Sequence, residues 1–136
     1  IFKNCEIISD DKIKAHTLKK SVFAVSKSGT VSLEICKFKI PSIIIYKMNF
    51  INYLIIKMLV KTQYANIINI AANKEIIPEL LQSKCNSKNI FNQVRSFIDD
   101  PKKIKTQIER TESILKELKT ASSSAEKASI ALIKHL

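Results

Sequence analysis

Two neighbouring segments determine the expected architecture: VFAVSKSGTVSLE at positions 22–34 and PSIIIY at positions 41–46. The run Val22–Val25 is short, apolar and rich in β-branched side chains, which is typical of a buried strand. Ile43–Ile45 predicts a second strand, apolar on both faces as parallel sheets require. Between them, apolar residues recur with helical spacing, and Pro41 ends the predicted helix. This order predicts an α/β fold with a parallel sheet, one half of a doubly wound domain.

Gly29 is the single glycine of the chain and lies at the predicted strand-to-helix turn, between Ser28 and Thr30. A residue without Cβ can take positive φ or let a ligand approach the backbone. The helix N-terminus behind the turn offers free N–H groups to an anion. Glu34 follows about one helical turn later, where a carboxylate can accept hydrogen bonds from sugar hydroxyls. A tight turn with a Ser or Thr N-cap explains the same residues, and spacing alone favours this simpler interpretation.

The composition indicates one basic domain with enough apolar residues for a core. The chain has 136 residues, 46% of them hydrophobic, and a net charge of +11. The basic residues are lysines spread along the chain except for Arg95 and Arg110. A nucleic-acid surface is more often rich in arginine with interleaved aromatic residues, so we expect no nucleic-acid partner. Attraction to an anionic membrane surface agrees with the charge.

The cysteines and histidines indicate neither disulfides nor a metal centre. Cys5, Cys36 and Cys85 are odd in number and widely spaced, which fits a reduced, cytoplasmic compartment. His16 and His135 have no ligand-like neighbours in the sequence. The sequence also shows no carboxylate pair and no His–Asp arrangement of the kind that serves as a general base. We therefore expect no catalytic residue, no metal and no cofactor in this chain.

The remaining sequence predicts a change from alternating elements to helices alone. The expected elements are the end of a strand at 6–9, helices at 12–20 and 50–59, a strand at 63–69, a polar loop at 70–75, a helix beginning at 78, and helices at 88–98, 101–119 and 125–136 separated by breaks at 99–101 and 120–124. This divides the chain into an α/β core over about 1–82 and a helical tail over 83–136. The abrupt start and the small number of strands, about four where a complete doubly wound domain has five or more, predict a fragment of a larger domain.

Four segments of this sequence resemble one known family in their order and spacing. They are KSGTVSLE at 27–34, PSIIIYK at 41–47, YLIIKMLVK at 53–61 and NIAANKEIIPELLQ at 69–82. Together they resemble the C-terminal part of lipid-A-disaccharide synthase, an inverting glycosyltransferase of the GT-B type with two Rossmann-like domains facing a cleft. The family joins a UDP-linked diacylglucosamine to a diacylglucosamine 1-phosphate. The resemblance covers about residues 22–82, and the flanking helices match in pattern only.

The resemblance implies a set of donor-binding residues and no residue for proton transfer. The implied substrate-binding residues are Ser28, Gly29, Thr30, Glu34, Asn69, Lys74 and Glu75. The family's SGT turn contacts the phosphates of the sugar nucleotide, and the glutamate in the next helix is commonly aimed at the ribose. The other three residues belong to a donor-side loop that Pro78 and Glu79 continue into a helix.

Three positions depart from the family pattern. Lys27 stands where the family usually has a small residue, and Ile68 replaces a proline before the asparagine. Asn73 replaces an expected glycine, although asparagine tolerates the left-handed conformation better than most residues.

The resemblance further implies a truncated donor-binding portion that is inactive alone. The N-terminal half, which holds the acceptor site and the catalytic base in this fold, has no counterpart here. Implied partners are the UDP-diacylglucosamine donor, the inner face of the inner membrane as a peripheral surface, and a second copy through C-terminal elements; a separately encoded N-terminal half stays open. The alternative is a non-catalytic nucleotide-binding or protein-interaction module, basic and associated with a membrane surface.

Overall fold

The computed structural model describes residues 4–49 and 63–133, with side chains described as far as Thr120. In chain order the elements are α1 (Asp11–Lys20), β1 (Ala24–Ser26), α2 (Thr30–Lys37), β2 (Ser42–Tyr46), α3 (Ile67–Ala72), β3 (Glu79–Leu81), a 3₁₀ turn (Gln82–Lys84), α4 (Ser87–Ile98) and α5 (Pro101–Ile133). The expected helix at 50–59 lies outside the described residues.

Within the described ranges, a three-stranded parallel sheet in the order β1-β2-β3 forms the centre of the fold. The register aligns Ser26, Ile44 and Glu79 in one row across the sheet. Paired residues of neighbouring strands point to the same face, so these three side chains share a face. The α/β fold class predicted from the sequence is confirmed, and the sheet with its helices is compatible with part of a Rossmann-like domain.

One face of the sheet is covered by α2, α3 and α5 around a small apolar core. Ile44 is fully buried there together with Cys36 of α2, Ile68 of α3 and Ile77. Full burial of an isoleucine side chain stabilises the fold by about 1.5–3 kcal/mol. Leucines and isoleucines of α5 complete the cluster: Ile114, Leu115 and Leu118.

The opposite face of the sheet carries α4. Ile43 alternates with Ile44 and is also fully buried. Phe23, which directly precedes β1, contacts Phe97 of α4 with ring centroids 5.5 Å apart and a tilt of 59°. Helices on both faces are the arrangement that a parallel sheet with apolar faces needs.

The helix starts agree with the capping residues of the sequence. The Asp10 side chain accepts hydrogen bonds from the Lys12 and Ile13 amides at the start of α1. Asn86 accepts from the Asn89 amide at the start of α4, and Asp100 accepts from the Lys102 amide ahead of α5. These bonds satisfy amides that have no partner inside the helix.

The segment 63–75 differs from its prediction. The expected strand at 63–69 is wrong, because α3 occupies Ile67–Ala72. The Asn66 side chain caps this helix by accepting from the Ile68 amide at 2.9 Å, and Asn73 ends it in the left-handed conformation with φ 46°. A short apolar run fits a helix and a strand equally well by periodicity, and here the two asparagines determine the result.

The expected helix after Pro78 is also wrong, since Glu79–Leu81 form β3. The Pro78 carbonyl accepts from the Ile44 amide at 2.9 Å, and β3 pairs along β2 from that point. The pairing is long-range, so local propensity gives no signal for it.

Two smaller expectations are wrong at the ends of the chain. Residues 6–9 are described but are not in a strand, and Ile7 is 95% exposed. The break expected at 120–124 is absent, because α5 runs continuously from Pro101 to Ile133. The Thr120 hydroxyl donates to the Lys116 carbonyl within the helix, which lets a hydroxyl residue lie inside it.

Candidate functional site

The carboxyl ends of the three parallel strands meet at one edge of the sheet, where ligands bind in open α/β folds. Lys27 follows β1 and the SGT turn (Ser28–Thr30) leads into α2. The Lys27 ammonium lies 5.2 Å from the ring centroid of Tyr46, the last residue of β2. This contact places a positive charge beside the turn.

Gly29 has the backbone conformation that only glycine adopts without strain. Its φ is 144° and its ψ −165°, and it occupies the N-cap position of α2. A Cβ built on it would meet no described atom within 4 Å, so the space beside this residue is open. The requirement for glycine is therefore conformational, and the open space leaves the N-terminus of α2 accessible.

The hydroxyl groups around the SGT turn do not cap α2. Ser28 donates its hydroxyl to the Ala65 carbonyl at 2.6 Å, and Ser32 donates to the Gly29 carbonyl at 2.6 Å. Among the described residues, no side chain makes the N-cap hydrogen bond of this helix. The simpler interpretation of the turn as a Ser or Thr N-cap is therefore wrong. Thr30, the first residue of α2, is exposed.

Glu34 faces α1 and forms an ion pair with Lys14. The Lys14 Nζ and Glu34 Oε2 atoms are 2.8 Å apart, and the two side chains are 40% and 37% exposed. The hydrogen bond to Glu34 raises the pKa of Lys14 above its ordinary value. Glu34 thus lies on the helix that the SGT turn begins, with its carboxylate partly open to solvent.

Asn69 is fully buried and holds the α3–β3 loop (Asn73–Pro78) in place. Its Oδ1 accepts from the amides of Ile76 and Ile77 at 2.8 and 2.9 Å. Its Nδ2 donates to the Ile77 carbonyl and to Glu79 Oε1, both at 2.7 Å. These four bonds use both donors and both acceptor positions of the amide.

Lys74 and Glu75 lie exposed on the α3–β3 loop. The Lys74 amide donates to the Asn69 carbonyl at 3.1 Å, which closes α3. Glu75 Oε1 accepts from the Glu79 amide at 3.2 Å. Asn73 has the left-handed conformation, with φ 46°, which asparagine tolerates better than most residues.

A pocket of about 600 Å³ lies beside the carboxyl end of β3. It is lined by Gln63, Tyr64, Glu75, Glu79, Leu81, Gln82, Ser83 and Lys84. Of the site residues predicted from the sequence, only Glu75 lines it among the residues that the structure describes. Ala65 links the SGT turn to this pocket, because its carbonyl accepts from Ser28 and its amide donates to the pocket residue Glu79.

Glu79 and Gln82 are two of the polar pocket residues that the sequence interpretation did not assign to the site. Gln82 Oε1 accepts from the Met48 amide at 2.8 Å and its Nε2 donates to the Met48 carbonyl at 3.2 Å. This pair joins the chain after β2 to the end of β3. Polar residues at both ends of the apolar pair Leu80-Leu81 were the signal that could have identified them.

The described ranges, 4–49 and 63–133, contain no group of three or more His, Cys, Asp or Glu residues that could hold a metal ion. In the same part of the chain, none of the helices combines the length and the apolar character needed to cross a bilayer.

Comparisons with known proteins agree in one family. The family model for lipid-A-disaccharide synthetase matches residues 2–133. The lipid-A-disaccharide synthase of Rickettsia bellii (strain OSU 85-389) is 37% identical over 112 residues, which is 82% of this chain and 29% of that protein. The enzyme of Sulfurihydrogenibium sp. (strain YO3AOP1) is 43% identical over 101 residues, 74% of this chain and 26% of that protein.

The Rickettsia prowazekii (strain Madrid E) lipid-A-disaccharide synthase is 36% identical over 115 residues, 85% of this chain and 30% of that protein. The chain thus spans less than a third of the length of these relatives. The family match extends over nearly the whole sequence, beyond the segments that carried the resemblance. This chain belongs to the lipid-A-disaccharide synthase family.

Proposed function

We propose that this chain is the donor-binding part of a glycosyltransferase of lipid A biosynthesis, with UDP-diacylglucosamine as the donor. The observation that carries the proposal is the open, glycine-specific SGT turn at the carboxyl edge of the sheet. The turn is linked through Ala65 to a pocket of about 600 Å³, in a chain of the lipid-A-disaccharide synthase family. The α/β part, about residues 1–82, binds the nucleotide, and the later helices support it.

The SGT turn is proposed to bind the diphosphate of the donor. The first amides of α2 and the positive end of its dipole favour an anion, and Gly29 leaves space for it to approach. Lys27 adds a positive charge at the same edge. Both features bind phosphate oxygens without a metal ion, through hydrogen bonds and charge.

Glu34 and the pocket are proposed to bind the nucleoside. The Glu34 carboxylate, 37% exposed, accepts from ribose hydroxyls while Lys14 holds it in position. Lys74 and Glu75, both exposed on the α3–β3 loop, are proposed to contact the donor directly. Asn69 is proposed to act indirectly, by fixing the shape of this loop.

Donor binding without turnover is the proposed activity of the chain by itself. No candidate general base was found in its sequence, and it spans about 29% of the Rickettsia bellii relative. We propose that acceptor binding and proton transfer need the parts of the family fold outside the matched region. A preceding portion of the protein or a separate chain supplies them, and a second copy is a further candidate partner.

Association with an anionic membrane surface is a second proposed property. On α4, Phe91 and Ile98 are 61% and 64% exposed and lie on one face, seven residues apart. Arg95 lies between them on that face, with its Nε 3.3 Å from Asp99 Oδ2, and the chain carries a net charge of +11. Exposed aromatic and aliphatic side chains on a strongly basic chain suit the headgroup region of anionic lipid. Phe91→Ser with Ile98→Ser should reduce co-sedimentation with vesicles containing anionic phospholipid, and equal binding of both proteins would contradict this property.

A UDP titration followed by amide NMR tests the donor-binding proposal on the full chain. We expect the amides of Ser28–Glu34 to shift in a saturable manner, with ADP at the same concentration as a specificity control. Glu109→Gln, a charge-neutralising change on the remote surface of α5, serves as the matched control and should bind UDP as the wild type does. A dispersed spectrum that does not respond to millimolar UDP would refute donor binding by this chain.

A further inference from the structure

We infer that Glu79 is a positioning residue for the SGT turn. Its carboxylate fixes the backbone at Ala65-Asn66, and these two residues hold the turn at two points, through the Ala65 carbonyl and the Asn66 side chain. The inference rests on the proposed donor site and extends it to a residue that contacts the turn only through others.

The carboxylate of Glu79 accepts hydrogen bonds from three N–H groups. Oε2 accepts from the Ala65 amide at 2.8 Å, and Oε1 accepts from the Asn66 amide at 2.9 Å and from Asn69 Nδ2 at 2.7 Å. Two consecutive backbone amides therefore point at one carboxylate. Bonds to an ionised acceptor are stronger than neutral ones, so this contact defines the position of the segment before α3.

The position of Glu79 in the sheet explains how it reaches this segment. Glu79 lies in the row Ser26–Ile44–Glu79, on the sheet face that α2 and α3 cover. Its side chain therefore points toward the N-terminal end of α3. Asn69, which donates to the same carboxylate, is itself fixed by the backbone of Ile76 and Ile77.

From Ala65-Asn66, two hydrogen bonds lead to the SGT turn. The Ala65 carbonyl accepts the Ser28 hydroxyl at 2.6 Å. The Asn66 Nδ2 donates to the Ser32 hydroxyl at 2.8 Å, and Ser32 donates to the Gly29 carbonyl at 2.6 Å. Asn66 is fully buried and Ser32 is 1% exposed, so water does not compete for the bond between these two side chains. The residue before Gly29 and the carbonyl of Gly29 are thus both tied to the segment that Glu79 holds.

Glu79→Gln tests the coupling because both carboxylate oxygens accept from backbone amides. An amide side chain places an NH₂ group against one of those donors, so at least one bond is lost. Without UDP, we expect changed shifts and faster hydrogen exchange at Gly29 and Thr30, which Glu79 does not touch. With UDP, we expect about tenfold weaker binding. Glu109→Gln is the control and should change neither readout.

A double-mutant cycle separates positioning from a general loss of stability. Ser28→Ala removes the bond to the Ala65 carbonyl, so its effect on UDP affinity should be much smaller in the Glu79→Gln background than in the wild type. Additive effects would overturn the inference. Should Glu79→Gln fail to fold, Glu79→Asp retains the charge but shortens the reach by one methylene and takes its place in every measurement.

The outcomes distinguish this inference from the proposed function. Shifted Ala65 and Asn66 amides with unchanged Gly29 and Thr30 amides would overturn the positioning role, whether or not UDP binds. A wild-type chain that does not bind UDP, with Gly29 and Thr30 amides that still respond to Glu79→Gln, would refute donor binding and retain the coupling.

Discussion

The SGT turn and the segment from Asn69 through the α3–β3 loop are both proposed to serve donor binding, yet their atoms are used differently. Gly29 has open space beside it, and its carbonyl accepts a hydrogen bond from the Ser32 hydroxyl. Asn69 is fully buried and uses all four hydrogen-bonding positions of its amide within the chain. The same resemblance therefore covers residues in opposite environments, and burial and hydrogen bonding distinguish a residue that is open to a ligand from one that supports the fold.

The largest expected effect is on the supporting side of this comparison. Asn69→Ala leaves the amides of Ile76 and Ile77 and the Ile77 carbonyl without this partner, and each buried group so exposed costs about 1–3 kcal/mol. We expect the free energy of unfolding to fall by about 3 kcal/mol and the melting temperature by about 10 °C. Thermal denaturation followed by circular dichroism measures this change.

Asn92→Ala is the matched control for Asn69, since Asn92 is an exposed asparagine on α4. We expect the control to change stability by less than about 0.5 kcal/mol. If Asn69→Ala melted at the wild-type temperature but no longer bound UDP, Asn69 would be a ligand contact and the comparison would be wrong.

A smaller stability effect and a larger binding effect are expected at Gly29. Gly29→Ala forces a residue with Cβ into φ 144°, at a cost of about 1–3 kcal/mol, although the added Cβ meets no described atom within 4 Å. The turn should relax away from its conformation and weaken UDP binding about tenfold or more, measured by NMR titration.

Equal affinity of Gly29→Ala and wild type would show that the turn does not bind phosphate. A loss of stability without a loss of affinity would likewise assign Gly29 to the supporting side of the comparison, together with Asn69.

Glu34 offers a finer test because its carboxylate has a partner inside the chain and is still partly exposed. We expect Glu34→Gln to weaken UDP binding about fivefold, since one charge-assisted bond to the ribose becomes neutral. Lys14→Gln removes the group that positions Glu34 but keeps the carboxylate itself, so it should weaken UDP binding less than Glu34→Gln does. Isothermal titration calorimetry measures the UDP affinity of both variants. Equal affinities would show that Glu34 acts only through its ion pair with Lys14 and does not bind the ribose.

Features of the fold that depend on residues close in the sequence could be predicted, whereas features that depend on long-range contacts could not. The path from β1 through Gly29 to β2 was predictable because a buried strand, a single glycine and a helical repeat are all local signals. β3 was not, because Glu79–Leu81 becomes a strand by pairing with β2, far away in the sequence. The role of Asn69 was also hidden, since the sequence does not reveal which buried amides its side chain meets.

The smallest expected effect is on the reactivity of the Cys36 thiol, which is buried on α2 and therefore depends on how tightly this helix is packed. Burial raises the pKa of the Cys36 thiol from 9.0 to about 11, so its thiolate fraction at pH 8 is about a hundredfold below that of an unperturbed thiol. Because the thiol ionises at a lower pH in the unfolded chain than in the folded chain, the free energy of unfolding should fall as pH rises from about 9 toward 11.

The small thiolate fraction of Cys36 also predicts its labelling rate: at pH 8, iodoacetamide should label the exposed Cys5 far faster than the buried Cys36. Labelling of Cys36, in a chain with Cys5→Ser and Cys85→Ser, should accelerate in Gly29→Ala if strain at the turn loosens α2, and it should slow when UDP binds the wild-type turn. Equal labelling rates in the wild type, in Gly29→Ala and in the wild type with UDP would show that changes at the SGT turn do not alter the packing of α2. The ligand-responsive part would then be the SGT turn alone, and α2 would belong with Asn69 among the elements that support the fold.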